Sequence, residues 1–356
     1  MNAEDSVRTG GHALRSLPSA SRTGLVKSFA VFGAALLIFE IYVWLSWIFG
    51  PNFIPTDVGP DRIPASELLT IHILQWAVAG FGLVAAWYWI VRPSYRAGFV
   101  TADAMLAICC WSLVFYDPSM NFTSATVLYN AYAVNWGAWT LGSWPSWTSP
   151  NGNSLPEPII VTGFGYLCLV FCQVLVTCWA VRWLLRYRPA VSAPMQMLAI
   201  LFGMTVCDSI IEILLLRTGI YAYPGGIRAI TLFAGQTYQF PLTEAFTFGG
   251  LGVGAIAVLR HFRDDRGQSF AERGIDQLKV RPTTRHFVRF LSLYGFTHGA
   301  FIILFMVPNQ WLATHSDPFP KGYPSYMLGR LCAYGDSRHE CPGPGVSIPR
   351  PTNNPF

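Results

Sequence analysis

The amino-acid sequence predicts an all-α, polytopic membrane bundle of about seven transmembrane helices, with the N-terminus inside and the C-terminal tail outside. Three observations predict it. Charged residues make up only 12% of the 356 positions, about half the share usual in soluble domains. Apolar residues make up 52%, and mean hydropathy is +0.38. Apolar runs of spanning length recur along the chain, and basic residues gather between alternate runs.

A span needs roughly 20 mostly apolar residues. The predicted spans are Phe29–Phe49, Glu67–Val91, Thr101–Tyr116, Ile159–Leu185, Met195–Leu216, Pro241–Leu259 and His286–Val307. The third is short and ends at Asp117-Pro118. Residues 1–28 form a polar tail that ends in Lys27 and Ser28. The run after it carries no small-residue cleavage site, so the first span reads as a retained signal-anchor. Residues 29–308 form the helical domain and 309–356 an outer tail. Orientation follows from charge. The N-terminal tail, the second and fourth interhelical loops and the stretch around Arg260–Arg289 hold 17 of the 24 basic residues, which places them inside. The +5 net charge is therefore an anchoring pattern and not a nucleic-acid surface.

The outer stretch 117–157 contains no Lys or Arg and carries Tyr129, Tyr132, Trp136, Trp139, Trp144 and Trp147. It reads either as an aromatic belt at the interface or as a lid over an apolar cavity. Asn121-Phe122-Thr123 fits a glycosylation pattern. Six cysteines lie in spans and read as packing residues. Cys332 and Cys341 share the outer tail, where an oxidising environment favours a disulfide.

Ionisable residues inside spans are costly, at least about 2.5–3.5 kcal/mol each, so they mark the expected site. Thr205, Asp208 and Glu212 recur at i, i+3 and i+7 and share one helical face. Glu244 lies one turn into the sixth span and is free to pair with Arg217 or Arg228 instead. Glu40 sits at mid-depth in the first span and needs a partner. His72 and Gln75 lie in the outer half of the second, and Tyr294 and His298 near the middle of the seventh. All these groups lie between mid-depth and the outer rim, which predicts one polar cavity opening outward. Asp117 reads as a turn residue before Pro118, and Tyr221 and Tyr223 as interfacial aromatics on a turn. A metal site would need His72, His298 and Asp208 to converge, and no HxxxH or HxxE spacing supports one. No P-loop, zinc spacing or dinucleotide fingerprint is present, so no cofactor is expected.

The tail reads Gly322-Tyr323-Pro324-Ser325-Tyr326-Met327, then Gly329-Arg330-Leu331-Cys332-Ala333-Tyr334-Gly335, then Cys341-Pro342-Gly343-Pro344-Gly345. Together with Tyr221-Ala222-Tyr223-Pro224-Gly225-Gly226 and seven spans, it resembles the AveC-like spirocyclase family of actinobacteria, from the first span to the tail. The resemblance implies a membrane enzyme of polyketide and macrolide biosynthesis. Its reaction would close a dihydroxy-ketone into a spiroketal, with a dehydration in the same region. It implies a lipophilic polyketide substrate, a lipid environment and the cell membrane as location. It carries no catalytic residue over by position, so the expected roles rest on depth. Asp208 and Glu212 are the expected acid and base, in either order. Glu244 would stabilise positive charge and His298 or Tyr294 would orient a hydroxyl, with Glu40, His72, Gln75, Thr205 and Trp136 around the substrate. Another cofactor-free cyclase, of the terpene type, would use the same carboxyls. A transporter or lipophile-binding protein is the non-enzymatic alternative.

Overall fold

The computed structural model describes residues 19–140, 142–149 and 155–329, with side chains from residue 23. Cys332 and Cys341, and the pairing expected of them, lie outside the described residues. The fold is a helical bundle. α1 is Ser19–Ile48. α2 is Ala65–Ala97, α4 Ile159–Tyr187, α5 Ala193–Leu216, α6 Leu242–His261 and α7 Pro282–Ala313. These six are long and apolar enough to cross a membrane. Their apolar residues face outward, the reverse of a soluble bundle. On α5, Phe202, Val206, Ile210 and Leu214 form an exposed stripe four residues apart, while Ile200, Met204 and Asp208 are buried behind it.

The third predicted span behaves differently. α3 is an α-helix only over Ala102–Ser112, with Thr101 capping it through the Ala104 amide. It then tightens into a 3₁₀-helix over Leu113–Asn121. A 3₁₀-helix rises about 2.0 Å per residue against about 1.5 Å for an α-helix, so the 9 residues of Leu113–Asn121 reach farther than they would as α-helix. Both ends are pinned. Asp103 binds Arg260 at 2.8 Å and Arg263 at 2.5 Å, beside the last turn of α6. Thr123, just past the other end, donates to Gln310 near the last turn of α7. Since α6 and α7 run antiparallel, these anchors lie at opposite ends of the bundle. α3 therefore passes through the interior, which explains why it lacks the length and apolarity of a lipid-facing span.

The loop after α3 folds onto the end of the bundle. β1 (Leu128–Tyr129) pairs antiparallel with β2 (Tyr221–Ala222), with Tyr129 opposite Tyr221. β3 (Thr231–Leu232) pairs with β4 (Phe240–Pro241). Asn130 ties the loop to Glu67 and to the Gly219 carbonyl, and the Ala131 amide donates to the Tyr326 carbonyl. Trp139 is 1% exposed and donates to the Phe115 carbonyl at 2.8 Å. Trp144 stacks on Phe115 with centroids 4.7 Å apart. These rings point into the protein, so the loop covers the bundle and is not an interfacial belt. Asn121 is buried, and its amide donates to the Val127 carbonyl. In the folded chain it is therefore not an exposed glycosylation acceptor.

Candidate active site

Two polar clusters lie inside the bundle. The first depends on a close helix crossing. Gly33 of α1 and Gly295 of α7 meet backbone to backbone: a methyl group at Gly295 would lie 2.1 Å from the Phe29 carbonyl oxygen. Two turns beyond Gly33, this proximity buries Glu40 completely against α7. Its carboxyl accepts from Tyr294, from Tyr116 at 3.0 Å and from His298 Nδ1 at 2.8 Å. His298 Nε2 in turn meets Ser112 Oγ at 2.9 Å. The Ser112–His298–Glu40 chain has the order of a nucleophilic triad, but Ser112 also donates to the Cys109 carbonyl, and the Tyr294 ring stacks on the imidazole at 3.8 Å. Every member is satisfied within the cluster, and Glu40, His298 and Tyr294 are buried. This supplies the partner Glu40 needs. It places Glu40, Tyr294 and His298, all expected around the substrate, together in one buried network.

The second cluster lies beyond it, nearer the loop-covered end, and gathers five carboxyls and four tyrosines. The two clusters are joined through consecutive residues of α3: Tyr116 belongs to the first and Asp117 to the second. Glu212 accepts from Tyr221 at 2.5 Å and from Tyr223 at 2.8 Å. Asp117 accepts from Tyr129 at 2.7 Å, and Tyr166 is within its hydrogen-bonding reach. Glu157 neighbours Asp117. Asp208 has one long contact, from Gln173 at 3.4 Å, and its Oδ2 is buried without a partner. Glu244 makes no hydrogen bond or ion pair among the described residues and lines a crevice with Tyr223, Thr126, Thr243, Asn309 and Ser316. None of the five forms a salt bridge among the described residues.

Glycines on α6 make this arrangement possible. A methyl at Gly249 would lie 2.4 Å from Asp208 Cβ, and one at Gly250 would lie 2.3 Å from Thr205 Oγ1. The α5 face seen in the sequence thus packs on a bare stretch of α6 backbone. Thr205 donates to the Leu201 carbonyl and acts in this packing, not at the crevice.

Other expectations are also corrected. His72 is exposed on the outside of α2 and contacts Gln75 at 3.1 Å. Gln75 is buried and accepts from the Val134 amide, which tethers the covering loop. Trp136 stacks flat on Phe53, at 5.6 Å, and does not line the crevice. Glu244 does not pair with Arg217 or Arg228: Arg217 lies over the Tyr238 ring, and the Arg228 guanidinium donates to the Pro318 carbonyl while its backbone amide donates to Asp317. His72, His298 and Asp208 sit in three separate environments and do not converge. Asp117 is no exposed turn residue but is 3% exposed, and Tyr221 and Tyr223 are buried carboxylate partners and not interfacial rings.

Outside the spans, burial raises the Asp117 carboxyl to about 6, against the opposing hydrogen bonds from Tyr129 and Tyr166. Burial, then the charge of Asp117, raises Glu157. Burial also pushes Tyr129, Tyr221 and Tyr223 well above the ordinary phenol value, and the adjacent carboxylates push further. These phenols are therefore proton-bearing donors at neutral pH.

Sequence reading missed Glu157, Tyr129, Tyr166 and Gln173 as members of the site. One available signal was the Tyr221/Tyr223 spacing, since residues two apart on extended chain share a face. A family model described as spirocyclase AveC-like matches residues 99–327, more than half of the chain. The chain belongs to the AveC-like spirocyclase family. No curated protein and no solved structure matches it. The matched segment holds the entire carboxyl–tyrosine cluster, whereas Glu40 on α1 lies outside it. The matched segment also holds Ser112, Tyr116, Tyr294 and His298 of the first cluster.

Proposed function

We propose that this chain closes a dihydroxy-ketone of polyketide origin into a spiroketal, within the cell membrane, at the crevice bordered by Glu244 and Tyr223. Membership of the AveC-like spirocyclase family supports a spirocyclase-type role in polyketide biosynthesis. The observation that carries the assignment is five carboxyls without a cationic partner among the described residues, one of which, Glu244, has no hydrogen-bond or ion-pair partner among them and borders the crevice.

The chemistry proceeds by addition and loss of water. The first hydroxyl adds to the ketone and gives a hemiketal, the ketone oxygen gaining a proton. Glu244 then protonates that hydroxyl, which leaves as water and generates an oxocarbenium-like centre. The second hydroxyl attacks this centre. Its proton passes to the Tyr223 oxygen while the phenol proton moves to Glu212, already hydrogen-bonded to it at 2.8 Å. Asp117 is near enough to Glu244 to add negative potential around the cation. The net change is loss of one water, and the proton on Glu212 returns to Glu244 through solvent. The same acid and base suit a second dehydration beside the spirocentre.

The test is product analysis with purified protein and a dihydroxy-ketone. Glu244→Gln should lower kcat by about 10²–10⁴, the usual span for a general acid or base. Tyr223→Phe should lower it less, because Glu212 retains Tyr221. Wild-type turnover by a correctly folded Glu244→Gln protein would overturn the assignment. So would unchanged substrate accumulating inside sealed vesicles, which would indicate transport.

A further inference from the structure

At the opposite end of the bundle, α4 and α6 enclose a cavity of about 340 Å³ lined by Leu175, Trp179, Arg182, Trp183, Arg186 and Arg260. Five of these residues form one stripe of α4, at i, i+4, i+7, i+8 and i+11. Leu175 is the deepest. Trp179 is 65% exposed and Trp183 is 48% exposed, as expected for indoles at a membrane–water boundary. Arg182 and Arg186 flank Trp183 and have no carboxylate partner among the described residues.

Arg260 supplies the rear wall. Its side chain is 12% exposed, and Asp103 grips it from behind through Nε at 3.2 Å and Nη2 at 2.8 Å. Three of its five N–H donors remain unspent by that clamp. Asp103 also holds Arg263, whose Nε and Nη2 are buried without partners. Asp103 thus pairs with two of the four guanidiniums, Arg182 and Arg186 are left without a carboxylate among the described residues, and the local excess is cationic.

We propose that this cavity binds an anionic phospholipid. The phosphate sits between Arg182, Arg186 and Arg260, and an acyl chain runs along Leu175 and Trp179. Guanidinium matches phosphate geometry through paired hydrogen bonds, and the stripe passes from Leu175 through Trp179 to the interleaved Arg182, Trp183 and Arg186, as from the acyl layer to the headgroup layer of one leaflet. A soluble anion would have no use for the exposed indoles. The site is separate from the carboxyl–tyrosine cluster and does not depend on the proposed reaction.

The experiment is native mass spectrometry of the full chain released from detergent, with phosphatidylglycerol, phosphatidylcholine or inorganic phosphate added. Wild-type protein should retain phosphatidylglycerol in preference to phosphatidylcholine, and millimolar inorganic phosphate should not displace it. Arg182→Gln/Arg186→Gln should weaken retention about 30-fold, at about 1 kcal/mol per arginine. The charge-matched Arg92→Gln/Arg96→Gln variant should keep the preference. Equal retention of the two lipids would overturn the proposal, as would displacement by inorganic phosphate or an equal loss in the control variant.

Discussion

Asp117→Asn tests the electrostatics of the covered end of the bundle. Asp117 is 3% exposed, and its Oδ1 accepts from Tyr129 at 2.7 Å. Burial raises its carboxyl from 3.8 to about 6. Between pH 4 and pH 6 the folded chain therefore holds a proton that the unfolded chain has released. Stability falls as pH rises through that window and levels off above it, where both states are ionised. A shift of about two units corresponds to about 3 kcal/mol. Asparagine keeps an acceptor for Tyr129 and carries no charge, so it removes the dependence. The assay is unfolding of wild type and Asp117→Asn in detergent micelles at pH 4 and pH 7. The wild type should lose about 2–3 kcal/mol relative to the variant across that range. Glu157 is raised by burial and by the charge of Asp117, so the variant also relaxes part of the Glu157 shift and the difference reports on the Asp117–Glu157 pair. A difference that stays constant with pH, or grows in favour of the wild type at pH 7, would refute the reasoning.

Further outcomes follow from the packing. Gly33→Ala should cost about 1–3 kcal/mol in thermal unfolding, because its methyl would lie 2.1 Å from the Leu291 carbonyl oxygen. Gly80→Ala, with nothing within 4 Å, should stay within about 0.5 kcal/mol of wild type. Glu40→Ala leaves Tyr294, Tyr116 and His298 without their acceptor and should cost about 3–5 kcal/mol by the same measurement, while Glu40→Gln retains an acceptor and should cost less. Gly249→Ala pushes on Asp208 Cβ from 2.4 Å. It should reduce turnover in the product assay while circular dichroism shows helix content unchanged.

Much of the bundle was legible because membrane helices announce themselves in short windows of sequence. Six spans follow from apolar runs alone. The shared face of Thr205, Asp208 and Glu212 was legible too, since helical periodicity fixes which residues align. α3 was harder to read. Its 3₁₀ continuation is stabilised by burial and by the Asp103 and Thr123 anchors, none of which appears in a local window. Tyr221 and Tyr223 looked interfacial because tyrosine is equally at home at a membrane surface and on a buried carboxylate.

By itself, the sequence determined the helical class, the spans, the basic and acidic ends of the bundle and the presence of costly carboxyls in its covered half. These are properties of composition and period. Only the tertiary structure decided that the polar residues divide into two clusters. Glu40 and His298 are 258 positions apart, and a glycine-to-glycine helix crossing brings them into one closed network. Glu212 meets Tyr223 because the chain turns back after α5, and Glu244 has no partner among the described residues because Arg217 and Arg228 are held by other groups. Which buried group is satisfied and which remains free depends on contacts between distant segments, and no local pattern encodes that difference.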